Sequence, residues 1–182
     1  YSYANPNISW EQSISPLLRE KSPTAQKLHM WLNVTNDKKN YSTEELIKFV
    51  FENGNWPMLH KFREQVEKDI EFNVKPNGIR LWFNLETPKS YAGINAYLEA
   101  LTKLNRLVEV RDNAKKIWIN AQLKNDETIE FYKNYKQYLT NDDIKNRLNF
   151  LLWNNRYYEA GYMFPLISES DKKIARARMA LG

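Results

Sequence analysis

Apolar residues along this chain recur at steps of three and four, and short polar or Pro/Gly-containing links separate the periodic runs. Such spacing marks one face of a helix; strands would alternate in steps of two. From Pro23, Leu28, Trp31 and Leu32 share a face, and a polar loop follows at 36–40. Ser42-Thr43-Glu44-Glu45 has the form of a capping box, in which the Ser oxygen accepts the amide three residues on and the Glu reaches back. Leu46, Ile47, Val50 and Phe51 then stripe one face until Asn53-Gly54. Trp56-Pro57 is read as opening the next helix, with Leu59, Phe62, Val66 and Ile70 inside. Pro76-Asn77-Gly78 reads as a break, with a short helix over 79–83 after it.

The second half is more regular. Helices are predicted over 91–104, 107–121, 126–138, 141–153, 156–164 and 170–181. Residues 1–22 read as an N-terminal extension, with a short helix near Trp10, and 23–182 as one helical domain. Links of roughly two to five residues make consecutive helices antiparallel neighbours. Two helices and their links give a period of roughly 30 residues, in the range of helical repeat arrays. A single amphipathic hairpin cannot bury its own apolar face, so stacked hairpins share a core. The expected fold is all-α: a right-handed α-superhelix, or solenoid, of stacked antiparallel helix pairs. Its last helix ends on an apolar flank at Ala180-Leu181, which predicts a piece of a longer protein.

Composition narrows the chemistry. There is no cysteine, so disulfides, thiolate metal sites and cysteine nucleophiles are excluded. The two histidines, His29 and His60, form no metal-binding pair, and no glycine-rich phosphate loop or serine-nucleophile elbow is present. No apolar run reaches the roughly 18 residues of a membrane span. No cofactor is predicted. The carboxylate groupings Glu44-Glu45, Glu64 with Glu67, and Asp142-Asp143 suit helix N-termini or polar helix faces better than acid catalysis. An acid catalyst needs an apolar pocket to raise its pKa, and the sequence supplies none around them. No catalytic residue is assigned.

The net charge of +5 favours anionic partners, although basic and acidic residues are interspersed. The chain holds 6 Trp, 11 Tyr and 8 Phe, enough rings to line a groove for sugars or bases. Trp31, Trp118 and Trp153 lie on apolar stripes and read as packing residues. Tyr132, Tyr135, Tyr157 and Tyr158 fall less cleanly on one stripe and are the candidate ligand-facing aromatics.

Several of these motifs occur in a known order. Arg147-Leu148, Leu151-Leu152-Trp153-Asn154-Asn155-Arg156, Glu159-Ala160 and then Ala175-Arg176-Ala177-Arg178 resemble the helical-repeat region of soluble lytic murein transglycosylases. Asn55-Trp56-Pro57 with Glu67, and Ile117-Trp118 before Tyr135–Leu139, resemble further helices of the same family. Val66 stands where Ala is usual before that Glu, and Asn105-Arg106 lacks the usual Gly. The resemblance implies a non-catalytic superhelical domain in a periplasmic protein. Its partners would be peptidoglycan and a C-terminal lysozyme-like domain of the same chain. That domain would cleave glycan strands to 1,6-anhydromuramoyl ends, and none of its motifs is present here. A tetratricopeptide-like module that binds partner proteins is the alternative. Single-stranded nucleic acid ranks last, because the cations form no stripe.

Overall fold

The computed structural model describes Pro16 and residues 22–38 and 41–181. The segment around Trp10 lies outside the described residues. Among those residues there are ten α-helices and no strand: α1 (Pro23–Thr35), α2 (Thr43–Glu52), α3 (Leu59–Asn73), α4 (Pro76–Leu85), α5 (Tyr91–Lys103), α6 (Leu107–Asn120), α7 (Asn125–Tyr135), α8 (Asn141–Trp153), α9 (Tyr157–Tyr162) and α10 (Glu169–Leu181). The protein is all-α. The chain divides into two compact units at Asp69/Ile70, within α3.

The first unit is built on an aromatic cluster. Phe49 stacks on Phe62 with centroids 4.4 Å apart, and Trp56 meets Phe49 edge-on at 5.4 Å. Trp31 meets Trp56 at 6.4 Å and donates its Nε1–H to the Pro57 carbonyl at 2.8 Å. Phe62 and Val66 are fully buried. The capping box at Ser42 forms as read: Ser42 Oγ accepts from the Glu45 amide, and Glu45 accepts from the Ser42 amide at 2.9 Å. Trp56-Pro57 does not open α3. Met58 takes a left-handed φ of 58°, and the helix starts only at Leu59.

In the second unit, Pro76-Asn77-Gly78 starts a helix instead of breaking one. Pro76 occupies the first turn of α4, where its missing N–H is no loss. Gly78 is needed there, because a Cβ would stand 2.8 Å from the Val74 side chain. Helix α4 packs on α5, and α5 on α6. Helix α8 likewise packs on its neighbour α9, while further contacts skip a helix: α6 packs on α8, α8 on α10, and α7 on α9. Fully buried Trp82, Leu98, Leu101, Val110, Trp118, Phe131 and Leu151 run through this core. Burying each such side chain is worth about 1.5–3 kcal/mol.

One hairpin is used twice, fifty positions apart, as α5–α6 and α8–α9. Ser90 and Thr140 cap the first helix of each pair, accepting from Gly93 at 3.0 Å and Asp143 at 3.2 Å. Ile94, Leu98 and Leu101 correspond to Ile144, Leu148 and Leu151, all buried. Both first helices end on an Asn with φ of 55°, Asn105 and Asn155. The next amide reaches back to complete the turn: Arg106 to the Leu101 carbonyl at 2.9 Å, and Arg156 to Leu151 at 2.8 Å. In each case that Arg pairs with a Glu one turn on, Arg106 with Glu109 and Arg156 with Glu159. Asn105 therefore supplies the left-handed residue that Gly usually provides. The same turn ends α1, where Asp37 has φ of 52° and Lys38 reaches Asn33 at 2.9 Å. The recurrence is longer than the predicted 30-residue period because α7 lies between the two copies.

Candidate ligand-binding cleft

The second unit contains a cleft of about 470 Å³. Three pieces of chain frame it. The link before α5 and its first residue contribute Lys89, Ser90 and Tyr91. The α6–α7 link contributes Gln122, Leu123 and Lys124, with Glu127 from the first turn of α7. The start and body of the α9 hairpin contribute Arg156, Tyr158, Glu159 and Tyr162. Three cations thus face two carboxylates, and three tyrosine rings lie among them.

Local sequence fixes each wall. Helix α7 begins where Glu127 accepts from the Lys124 amide at 2.8 Å. Helix α9 begins at the Asn155 turn, which places Arg156 and Glu159 on one face, Arg156 Nε donating to Glu159 at 3.1 Å. Tyr158 and Tyr162, four residues apart, stack edge-on at 5.2 Å. Tyr158 is 79% exposed, so its ring is open to a ligand.

Behind the cleft sits Arg147, fully buried from the middle of α8. Its guanidinium lies 5.0 Å from the centre of the Trp118 ring. It donates to the Trp118 carbonyl, and to that of Ala121 at 3.3 Å. A cation at the C-terminal end of α6 answers the carbonyls left open there. Arg147 thereby fixes the strand of chain that continues into the cleft wall at Gln122. Its Nε and Nη2 have no hydrogen-bond partner, nor does the buried Nη2 of Arg156. Burial first, and then repulsion by Arg156, pull the Arg147 pKa down to about 10, which leaves it charged at neutral pH.

The carboxylates here are held ionised. Burial alone would raise Glu159, but its own backbone amide and the Arg156 guanidinium outweigh that and keep it below the usual carboxylate range. Asp143 is similar: burial would raise it, while Thr140 and the Lys115 ammonium at 3.0 Å bring it down. Both shifts run opposite to what a proton donor needs. The arrangement is chemically suited to holding an anionic or ring-bearing ligand. Among the described residues no group of three metal-ligating side chains occurs, and no helix is long and apolar enough to cross a membrane.

The four tyrosines singled out from sequence are not brought together. Tyr158 lines the cleft. Tyr132 packs against Trp118, with centroids 5.9 Å apart. Tyr135 turns inward, 4.8 Å from Phe131, and burial pushes its hydroxyl far up. Tyr157 donates to Asn155 at 2.9 Å and faces a separate shallow pocket with Trp153. Trp153, read as a packing residue, is 74% exposed, with Arg178 over its ring at 5.2 Å. Tyr91, Tyr162, Arg156 and Lys124 were missed as site residues. The Arg-x-x-Glu spacing after an Asn was a signal for Arg156, and no local pattern marked the other three.

Among the other carboxylates, Glu64 pairs with Lys61 at 3.8 Å, and Glu67 is buried in the first unit. His29 lies 3.2 Å from the Asn33 amide. No protein-family model, no curated protein and no solved structure matches this chain.

Proposed function

We propose that this chain is a non-catalytic helical scaffold that associates with peptidoglycan, of the kind found as the superhelical domain of soluble lytic murein transglycosylases. In this reading the second unit is a segment of a right-handed solenoid. Strand cleavage belongs to a separate lysozyme-like domain, and the protein works in the periplasm. The observation that carries the reading is the cleft, where three basic side chains, two carboxylates and the exposed ring of Tyr158, packed edge-on to Tyr162, lie together. Tyrosine faces stack on sugar rings, and cations suit the acidic peptide stems of peptidoglycan. Helix contacts that skip one helix are the pattern a stacked array produces.

The test is co-sedimentation of the chain with purified peptidoglycan sacculi at rising salt. The reading expects binding that weakens as salt is added, and no release of 1,6-anhydro products by this chain alone. Absence from the pellet at low salt would overturn it. The second reading, a tetratricopeptide-like protein-binding module, draws on the repeated hairpin turn at Asn105 and Asn155. Selective binding of a peptide with no affinity for sacculi would favour it.

A further inference from the structure

We propose that the exposed indole of Trp153 is a second sugar platform, separate from the cleft, and that a glycan strand crosses the α8–α9 turn to reach both. The proposal rests on the peptidoglycan reading for the identity of that glycan and adds to it a second point of contact.

The α8–α9 turn has a pocket on each side. Arg156 and Tyr158 line the cleft, while Asn155 and Tyr157 line a pocket of about 260 Å³ together with Trp153 and Arg178. Consecutive residues, about 3.8 Å apart at their Cα atoms, thus serve opposite pockets, and one strand laid over the turn touches both. The Trp153 side chain is 74% exposed. Arg178 lies over its ring at 5.2 Å and donates to Asn149 at 3.3 Å, which holds the indole against one side and leaves the rest open. Tyr157 donates its hydroxyl proton to the Asn155 side-chain carbonyl at 2.9 Å. The Asn155 amide protons and the Tyr157 oxygen remain for a ligand.

The first hairpin shows which of these residues the turn itself requires. Asn105 repeats the left-handed backbone of Asn155, but Lys103 stands where the second copy has Trp153, and Leu107 where it has Tyr157. Lys103 points to solvent and pairs with Glu99 at 3.0 Å. The hairpin therefore closes without an aromatic residue at either place. Trp153 and Tyr157 are particular to the second copy, and folding of the turn does not account for them.

A sugar ring fits this combination. An aromatic face packs against the C–H face of a pyranose, while the carboxamide and hydroxyl beside it take the ring's hydroxyl groups. The pocket of about 260 Å³ is smaller than the roughly 300–1,000 Å³ of sites that enclose a whole small ligand. It suits one residue of a longer chain whose neighbours lie outside it, which is what a strand continuing into the cleft would provide.

Calorimetric titration of the whole chain tests this with three probes: a disaccharide–tetrapeptide from peptidoglycan, the glycan-linked tetrasaccharide of the same repeat, and a tetramer of β-1,4-linked N-acetylglucosamine. The tetrasaccharide is expected to bind about tenfold tighter than the disaccharide, because only the longer strand spans both platforms. Trp153→Ser should remove most of that gain while leaving disaccharide binding in the cleft unchanged, and Trp153→Phe should keep it. Tyr157→Leu, which installs the residue of the first hairpin, should weaken the tetrasaccharide alone by about threefold. If Trp153→Ser does not fold, Tyr157→Leu carries the test. Equal affinity of the parent and the folded variant for the tetrasaccharide would overturn the platform and leave the peptidoglycan reading standing. Binding of the N-acetylglucosamine tetramer that depends on Trp153, with none of the peptidoglycan fragments, would keep the platform and overturn the peptidoglycan reading. Failure of the parent to bind any of the three would overturn both.

Discussion

At the residue scale, the fold turns on a few side chains in unusual states. Asn155 holds φ of 55° so that Arg156 can close the end of α8 and enter the cleft. A residue with a Cβ resists that conformation by about 1–2 kcal/mol, and Asn less than most. Asn155→Gly is therefore expected to leave the melting temperature unchanged or slightly raised, and Asn155→Val to lower stability by about 1–2 kcal/mol, read from urea unfolding. Gly78 is the opposite case. Alanine is the better helix former, yet its Cβ would meet Val74 at 2.8 Å, so Gly78→Ala is expected to destabilise by about 1–3 kcal/mol. A stabilised variant would contradict the packing described around α4. The Asn positions were visible in the sequence, but their left-handed backbone was not. Asn is common throughout this chain, and only the surrounding hydrogen bonds single out these two.

At the scale of elements, Arg147 ties α8 to the end of α6. Arg147→Ala removes a fully buried group that satisfies two helix-terminal carbonyls and covers Trp118. A loss of about 2–5 kcal/mol is expected, from the two carbonyls left unsatisfied and the cavity left beside Trp118. Arg147→Met fills the space without burying a charge and should lose less. Equal losses in the two variants would show that the charge, not the filled volume, dominates. The N-terminus of α8 makes a pH prediction. Asp143 lies below its unfolded value, so its contribution to stability is present above about pH 4 and disappears as pH falls through the folded pKa. The melting temperatures of the parent and Asp143→Asn should therefore differ at pH 7 and converge toward pH 2. A constant gap across that range would contradict the assigned hydrogen bonds.

Helices were legible in the sequence because amphipathic spacing and caps are local. The capping box at Ser42 and the stripes of α5 and α8 needed no tertiary information. The start of α4 was misread because Pro-Asn-Gly serves both as a turn and as a first helical turn, and only packing chooses between them. Trp153 and Tyr135 exchanged their expected places for a similar reason. Each lies at the margin of its helix stripe, and the neighbouring helix decides which margin is covered.

At the scale of the whole molecule, sequence spacing gives helices but not the grouping of chain into two units or the gathering of Tyr91, Lys124 and Arg156. Those residues come from three separate elements, and nothing local links them. The net charge of +5 is similarly a global quantity, set by basic and acidic side chains interspersed along the chain. Because exposed charges are screened over about 10 Å at 0.1 M salt, sacculus binding should fall steeply between low and physiological ionic strength. The central claim is that the cleft of the second unit is where peptidoglycan is held. Amide chemical-shift mapping of the labelled chain, titrated with a soluble disaccharide–tetrapeptide, tests it most directly. The account predicts shifts centred on Tyr91, Lys124, Arg156, Tyr158 and Tyr162, saturating together. Shifts that leave these residues untouched, or that gather in the first unit, would contradict it.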